Sequence, residues 1–446
     1  MNRAAREVVT GEAGVRETAV GEARTLEAGT TIDVGRTIAG LDPESLVARF
    51  GSPLYVYDAG VLRRRALALR AALPASVDIA FAAKANSSPA VLATLRAAGL
   101  GADVASGGEL RAAIRAGFDP QHIVFTGPGK TDAELEAALR IGVGALTIES
   151  LEELEVVISL AGIARPGRGL MLRLASTGVA EGRPIIGAAG NAKFGLSDAE
   201  ADESVGRLRA TRALAPDGPF RLRGFHAFGA SNVLAAGVLV DGAADLARRA
   251  ERIAERHALE IGTLDMGGGL GIPYAVGDAA LDIGALGKGL ATEMTSWAER
   301  PALRHARLLL EPGRWLAGPA GAYLCGVVRT KLRGDRWIAI SDGGIHHLLR
   351  PRLVGQDHRT VAVGASASRP ADGRVDLVGP LCTGIDILAA DIEAPQPRTG
   401  DLFAVLDAGA YGYSESMPLF LSHPTPAEIV VDDGGVTVSR ERVEPA

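Results

Sequence analysis

The sequence predicts an α/β fold: a (β/α)8 barrel with a second, mostly β C-terminal domain that also takes an N-terminal strand. Three observations predict it. From Val61 to Arg314, short apolar runs alternate with helical patterns, and the runs number eight. After Arg314 the long helical periodicity stops and strand-like runs follow one another. The length, 446 residues, exceeds one ordinary domain and suits a barrel plus a second unit. A doubly wound open sheet shows the same alternation and is the structural rival.

In chain order, Met1 to Thr30 reads as a mobile tail, with order beginning near Thr31 and a strand at Pro53–Tyr57. The barrel strands are expected at 78–83, 102–105, 122–125, 145–148, 169–174, 222–226, 263–266 and 307–310. Helical patterns lie between them at 89–98, 108–116, 132–141, 151–160 and 243–257. Thr131, followed three residues later by Glu134, is a helix-start signal. Strands of the second domain are expected at 322–332, 336–341, 360–363, 402–406 and 428–431. The expected division is a tail over 1–31, an N-terminal strand segment of the β domain over 32–60, the barrel over 61–315 and the β domain over 316–446.

Composition narrows the function classes. Hydrophobic residues make up 47% of the chain, ample for large cores. The net charge of -6, from 47 basic and 53 acidic residues, predicts a soluble acidic protein without a nucleic-acid surface. Only Cys325 and Cys382 occur, which favours a reducing cytoplasm over a disulfide framework. No signal-peptide pattern and no membrane-length apolar run is present.

The polar residues gather where barrel enzymes keep their active sites, at the C-terminal strand ends. Lys84, in Phe81-Ala-Ala-Lys-Ala-Asn86, ends the first barrel strand; Asp103 lies in the second and Arg173 in the fifth. His226, Phe228 and Ser231 follow the sixth, Gly267-Gly268-Gly269 the seventh, and Glu311-Pro312-Gly313-Arg314 the eighth. Taken singly, each has a plainer reading as a solvated lysine or a turn sequence. What sets them apart is the shared rim.

This set resembles the fold type III pyridoxal-phosphate decarboxylases, which include the diaminopimelate, ornithine and arginine decarboxylases. The resemblance runs from about residue 32 to 431. It implies that Lys84 holds pyridoxal 5'-phosphate as a Schiff base, positioned by Asp103 and Arg173. It implies that Gly267, Gly268 and Gly269 offer backbone N–H groups to the phosphate, where side chains would block approach, that Arg314 adds charge to that cradle, and that Ser231, Phe228 and Gly313 also contact the cofactor. Glu311 would pair with the pyridine nitrogen, and Tyr411 would reach the phosphate from the β domain. Cys382, in Gly379-Pro-Leu-Cys-Thr383, would enter the neighbouring subunit's site and return a proton to the substrate carbon. The implied active form is a homodimer with shared sites.

Three departures from the family pattern bear on the substrate. Phe228 stands where the family has a ring-stacking histidine; it can stack but cannot donate a hydrogen bond. Thr383 follows the cysteine where diaminopimelate and basic amino-acid decarboxylases carry an acid for the distal ammonium, and a buried ammonium left unpaired is costly. Asp386 is the alternative partner for an ammonium, but its spacing resembles an acid that serves as scaffold elsewhere in the family. The end of the site reads Met417-Pro-Leu-Phe-Leu-Ser-His-Pro424 in place of an Asn-Tyr-Asn stretch, and Val354 replaces a tyrosine in Arg350-Pro-Arg-Leu-Val354. Arg350 is the candidate for a substrate carboxylate; His346 and His347 have plainer readings as loop or core histidines.

The sequence therefore leads us to expect a decarboxylase of an α-amino acid with a modified distal end, of the carrier-bound glutamyl or citryl-diamino acid type. The substrate is a small molecule or is carried by an acyl carrier protein, and Thr383 and Arg350 are its candidate contacts. No metal is expected. Diaminopimelate decarboxylase is the runner-up, an alanine-racemase-like activity ranks below it, and a non-catalytic cofactor-binding regulator is the alternative of another class.

Overall fold

The computed structural model describes residues 37–164, 166–176, 193–275, 277–433 and 435–445. The expected tail over 1–31 and the onset of order near Thr31 lie outside these residues. The described chain opens with α1 (Pro43–Phe50), capped by the Asp42 side chain, then β1 (Leu54–Asp58) and α2 (Ala59–Ala72), capped by Asp58.

Eight parallel strands then close into a barrel in chain order. They are β2 (Val77–Ala82), β3 (Gly101–Val104), β4 (Ile123–Phe125), β5 (Ala145–Ile148), β6 (Arg168–Arg173), β7 (Phe220–His226), β8 (Thr263–Asp265) and β9 (Arg307–Leu310). Closure rules out the open-sheet rival, because β2 pairs with both β3 and β9. The crossover helices are α3 (Pro89–Ala97), α4 (Gly107–Arg115), α5 (Asp132–Ile141), α6 (Leu151–Ser159), α7 (Asp198–Ala210), α8 (Ala236–Arg256) and α9 (Ile283–Trp297). The place of an eighth helix between α9 and α3 is filled by α2, which touches both. Thr131 and Glu134 form the reciprocal cap expected at the start of α5. Helix α8 starts seven residues earlier than its pattern suggests, because Gly237 and Gly242 weaken the helical signal in its first two turns.

Strand alternation positions the site. A small apolar cluster of Ala80, Val124, Ala145, Met171 and Leu309 stands apart from the main core and fills the barrel interior. Stepping two residues along a strand keeps the inward direction. The steps from Ala82 to Lys84, Thr147 to Glu149, Met171 to Arg173 and Leu309 to Glu311 thus bring polar side chains to the C-terminal rim.

The second domain is a sheet in the order β14-β13-β11-β10-β1-β16-β17, with β15 beside β10 and β12 beside β15. Its members after the barrel are β10 (Gly321–Arg333), β11 (Arg336–Ser341), β12 (Thr360–Val363), β13 (Gly373–Val378), β14 (Ile387–Ala394), β15 (Leu402–Val405), β16 (Ala427–Asp432) and β17 (Gly435–Arg440). Strand β1 lies antiparallel to β10 and parallel to β16, so the barrel is an insertion between two paired strands of this sheet. No helix among the described residues is long and apolar enough to cross a membrane.

Candidate active site

Lys84 leaves β2 in a short helical turn and forms an ion pair with Asp103 of β3. Asp103 is fully buried, and its second oxygen accepts from the Thr126 hydroxyl at 2.7 Å. Burial works against a charge on Lys84, but the carboxylates of Asp103 and Glu311 outweigh it and raise the ammonium's pKa. The Lys84 side chain remains 34% exposed, opening upward into a pocket. That pocket is lined by Lys84, Phe228, Ser231, Glu311, Arg314 and Tyr411, with Gly268, Gly269 and Gly313 forming its backbone walls.

Arg173 does not reach Lys84 directly. Its guanidinium pairs with Glu149 at 2.9 Å and lies 4.7 Å over the Phe194 ring. Glu149 also accepts the Gly127 amide at 2.8 Å, next to the threonine that holds Asp103. Arg173 thus braces the loop behind Asp103. The sequence reading missed Glu149 and also Glu109, which accepts the Ala105 amide at 2.7 Å and whose pKa burial raises, with the Asp103 charge adding to it. The two-residue step from Thr147 was the available signal for Glu149.

The glycine triplet is required by space. A Cβ on Gly268 would lie 2.3 Å from the Glu311 carbonyl oxygen, and one on Gly269 would lie 2.5 Å from that of Ala230. Gly267 and Gly269 also hold φ of 66° and 88°, where side chains are strained. The Gly267 amide donates to Asp265 at 2.8 Å, whereas those of Gly268 and Gly269 make no hydrogen bond among the described residues. Arg314 donates to the Tyr274 hydroxyl at 3.0 Å and to Ser231 Oγ at 3.3 Å, and sits 4.8 Å over the Tyr411 ring. Tyr411 reaches the rim because its amide bonds the Ala85 carbonyl at 2.8 Å, one residue beyond Lys84. The half-buried Phe228 packs against Gly267, where an added Cβ would meet its ring at 2.8 Å.

Glu311 is buried with Asp265 and His226. Burial, together with the Asp103 and Asp265 charges, pushes the Glu311 carboxyl well above its ordinary range. Burial likewise lifts Asp265 to about 7. His226 is driven well below the usual histidine value by burial and by the nearby cations Arg173, Lys84 and Lys130.

A sequence profile described as the pyridoxal-dependent decarboxylase, pyridoxal binding domain, matches residues 59–318. The chain is 32% identical to the diaminopimelate decarboxylase of Methanothermobacter thermautotrophicus over 417 residues, 91% of this chain and 92% of that protein. The chain belongs to the pyridoxal-dependent decarboxylases. Its relatives also include the L-glutamyl-[BtrI acyl-carrier protein] decarboxylase of Niallia circulans, 29% identical over 89% of this chain and 93% of that one. Among solved structures, the diaminopimelate decarboxylase of Helicobacter pylori complexed with L-lysine superimposes with a TM-score of 0.80, at 26% identity over 90% of this chain and 96% of that one.

Membership makes this an enzyme and pyridoxal phosphate its cofactor, and the pocket fits that group. It offers a side-chain-free backbone cradle, a guanidinium and two hydroxyls for a phosphate. It offers Lys84 for the aldehyde and a proton-holding carboxyl, Glu311, for a ring nitrogen. A larger cavity, about 850 Å³, lies instead at the opposite mouth among residues that begin the strands, such as Asp78, Gly101 and Arg307. Barrel chemistry does not sit at that end.

The distal candidates fall outside this pocket. Cys382 is exposed and Thr383 half-buried on the loop between β13 and β14, and neither lines their own chain's pocket. Asp386 fastens that loop, accepting the amides of Ile345 at 2.8 Å and Leu381 at 2.7 Å. Arg350 lies 4.8 Å over the Tyr411 ring and pairs with Glu415 at 2.8 Å, so its charge is already met within the chain. His346 and His347 are fully buried core residues; His347 bridges the Tyr323 hydroxyl and the Pro424 carbonyl.

Proposed function

We propose that this decarboxylase acts on an α-amino acid whose distal group is a thioester or amide in place of a free ammonium, of the carrier-bound glutamyl or citryl-diamino acid type. The ion pair of Arg350 with Glu415 carries this reading. Arg350 stands behind a wall of the pocket, and a free distal carboxylate would have to displace Glu415 to use it. An ammonium fares no better. Thr383 is neutral, and Asp386 would have to give up two amide bonds to meet a cation. The relative from Niallia circulans, named for a glutamyl group on an acyl carrier, supports a substrate of this kind and an acyl carrier protein as partner. The second reading, diaminopimelate decarboxylase, draws on the 32% identity to the Methanothermobacter enzyme.

Pyridoxal phosphate, when bound, supplies an electron sink for the electrons left as an α-carboxylate departs. This chain's residues do the rest. Lys84 holds the cofactor, and Asp103, backed by Thr126, fixes the Nζ atom. Gly268, Gly269, Ser231, Arg314 and Tyr411 bind the phosphate, and Glu311 holds a proton toward the ring nitrogen. Phe228 covers a ring face and keeps water from it. Cys382 of a second copy delivers a proton from Sγ to the α-carbon; its exposure, away from its own pocket, supports a homodimer with shared sites. Two unpaired cysteines support a cytoplasmic location.

Carbon dioxide release tests the substrate class. Carrier-bound glutamate or citryl-diaminopropionate should turn over faster than free diaminopimelate, and rapid turnover of diaminopimelate would overturn the reading. Borohydride should trap the cofactor on Lys84.

A further inference from the structure

His226, Asp265 and Glu311 come from three neighbouring strands of the barrel. His226 stands opposite Asp265 in register, Asp265 opposite Leu309, and Glu311 two residues beyond Leu309. One nitrogen or oxygen from each side chain lies within 4.8 Å of the others, and all three are buried. Asp265 Oδ1 is occupied by the Gly267 amide at 2.8 Å. Its Oδ2 and Glu311 Oε1 are buried without a donor among the described residues, and an oxygen of each carboxyl lies within 4.8 Å of one of the other.

Two buried carboxylates this close repel each other unless one of them carries a proton, which then bonds the other. His226 does not supply the bond: its Nε2 is 3.8 Å from Glu311, beyond hydrogen-bond range, and its ring nitrogens make no hydrogen bond among the described residues. The charged groups facing the pair are Asp103 from β3 and Lys84 from the turn after β2. Arg173 of β6 and Lys130 of the loop after β4 act on His226 and keep it neutral. Of the three side chains, the carboxyl pair is thus the one where a proton relieves buried charge.

We propose that Asp265 is a positioning residue for Glu311: the two carboxyls share one proton, and Glu311 presents that proton to the ring nitrogen of the cofactor. The proton begins on the pair and ends on the nitrogen. Both carboxylates are left charged, no other bond is made or broken, and no co-reactant is consumed. The Asp265 charge then favours retention of the proton on the ring side. This inference rests on the assignment of Glu311 to the ring nitrogen and is independent of the substrate.

The test compares wild type, Asp265→Asn and Glu311→Gln. Asparagine keeps the acceptor for the Gly267 amide. Calorimetric binding of pyridoxal phosphate to the cofactor-free protein, in buffers of different ionisation enthalpy near neutral pH, counts protons exchanged with solvent. D265N should take up more solvent protons than wild type, by as much as about one per site. It should also shift the pH dependence of the bound cofactor's absorbance. Infrared difference spectra of the wild-type protein supply a measurement without a variant. A protonated-carboxyl band should be present without cofactor and disappear when it binds. If D265N matches wild type in proton count and absorbance while E311Q does not, or the band is absent, the shared proton is refuted. If E311Q also matches wild type, it is the assignment of Glu311 that fails.

Discussion

Glu415→Gln is the substitution that most directly probes the neutral distal wall. Arg350 Nη1 lies 2.8 Å from one Glu415 oxygen and 3.1 Å from the other, with the side chains 6% and 21% exposed. At that separation the Coulomb term is about 6 kcal/mol for an effective dielectric of 20 and about 1.5 kcal/mol in bulk water. Removing one partner of a fully buried pair costs about 3–5 kcal/mol. Glutamine keeps an acceptor oxygen and Glu415 is partly solvated, so the expected loss is nearer 2 kcal/mol. That unpaired Arg350 charge is then open to a substrate carboxylate. If most of it is recovered on binding, kcat/KM for diaminopimelate rises roughly 10- to 30-fold relative to carrier-bound glutamate. The assay is carbon dioxide release with the two substrates, beside a denaturation midpoint. Arg350→Gln combined with E415Q should cancel the gain. A destabilised E415Q with an unchanged substrate ratio would refute the reasoning, because Arg350 would then serve structure alone.

Other consequences are sharper in sign than in size. Gly268→Ala sets a Cβ 2.3 Å from a backbone oxygen, so cofactor affinity should fall by roughly 10- to 100-fold in an absorbance titration while the fold persists. Cys382→Ala should slow turnover by about 10²- to 10⁴-fold with the cofactor still bound; unchanged turnover would remove the thiol from the mechanism. The cofactor-free protein should lose stability as pH rises from about 4 to about 7. Asp265 is lifted from 3.8 to about 7 in the fold, so the folded state binds the extra proton in that window and the benefit is gone above it. The ceiling is about 4 kcal/mol, and D265N should flatten the melting profile relative to wild type.

The barrel was legible because its strands are short apolar runs between capped helices, and each lies within two residues of its expected bounds. The strands missed were β13, β14 and β17. They lie toward the sheet's edges, present charged or exposed faces, and acquire their strand character from the pairing itself. In the site, Lys84, Glu311, Arg314 and the glycines stood out because all of them end barrel strands on one rim, though each alone has a plainer reading. Glu109, Glu149, Asp265 and Glu415 did not, since a carboxylate in sequence carries no sign of burial. For Asp265, the clue was its place at a strand end two residues before the glycine triplet. Arg173 and Arg350 were singled out for the cofactor and for a substrate carboxylate; that both are buried against Glu149 and Glu415 appears only in three dimensions.

The division of labour between the two units shows how shared cofactor chemistry and the proposed change of substrate can coexist. Lys84, Asp103, Glu311, Arg314 and the glycine cradle all belong to the barrel, fixed by strand register and by one another. Arg350, Cys382, Thr383 and Glu415 all belong to the β domain. The two meet where the Tyr411 amide bonds the Ala85 carbonyl and the Tyr411 ring lies against both Arg314 and Arg350. Tyr411 is thus contacted on the barrel side by the guanidinium proposed for the phosphate and on the other by the one that Glu415 neutralises. Substitutions beyond Tyr411 can change the charge of the distal wall without disturbing the Lys84–Asp103 pair. A chain can therefore keep the barrel of a diaminopimelate decarboxylase while its distal wall no longer suits diaminopimelate.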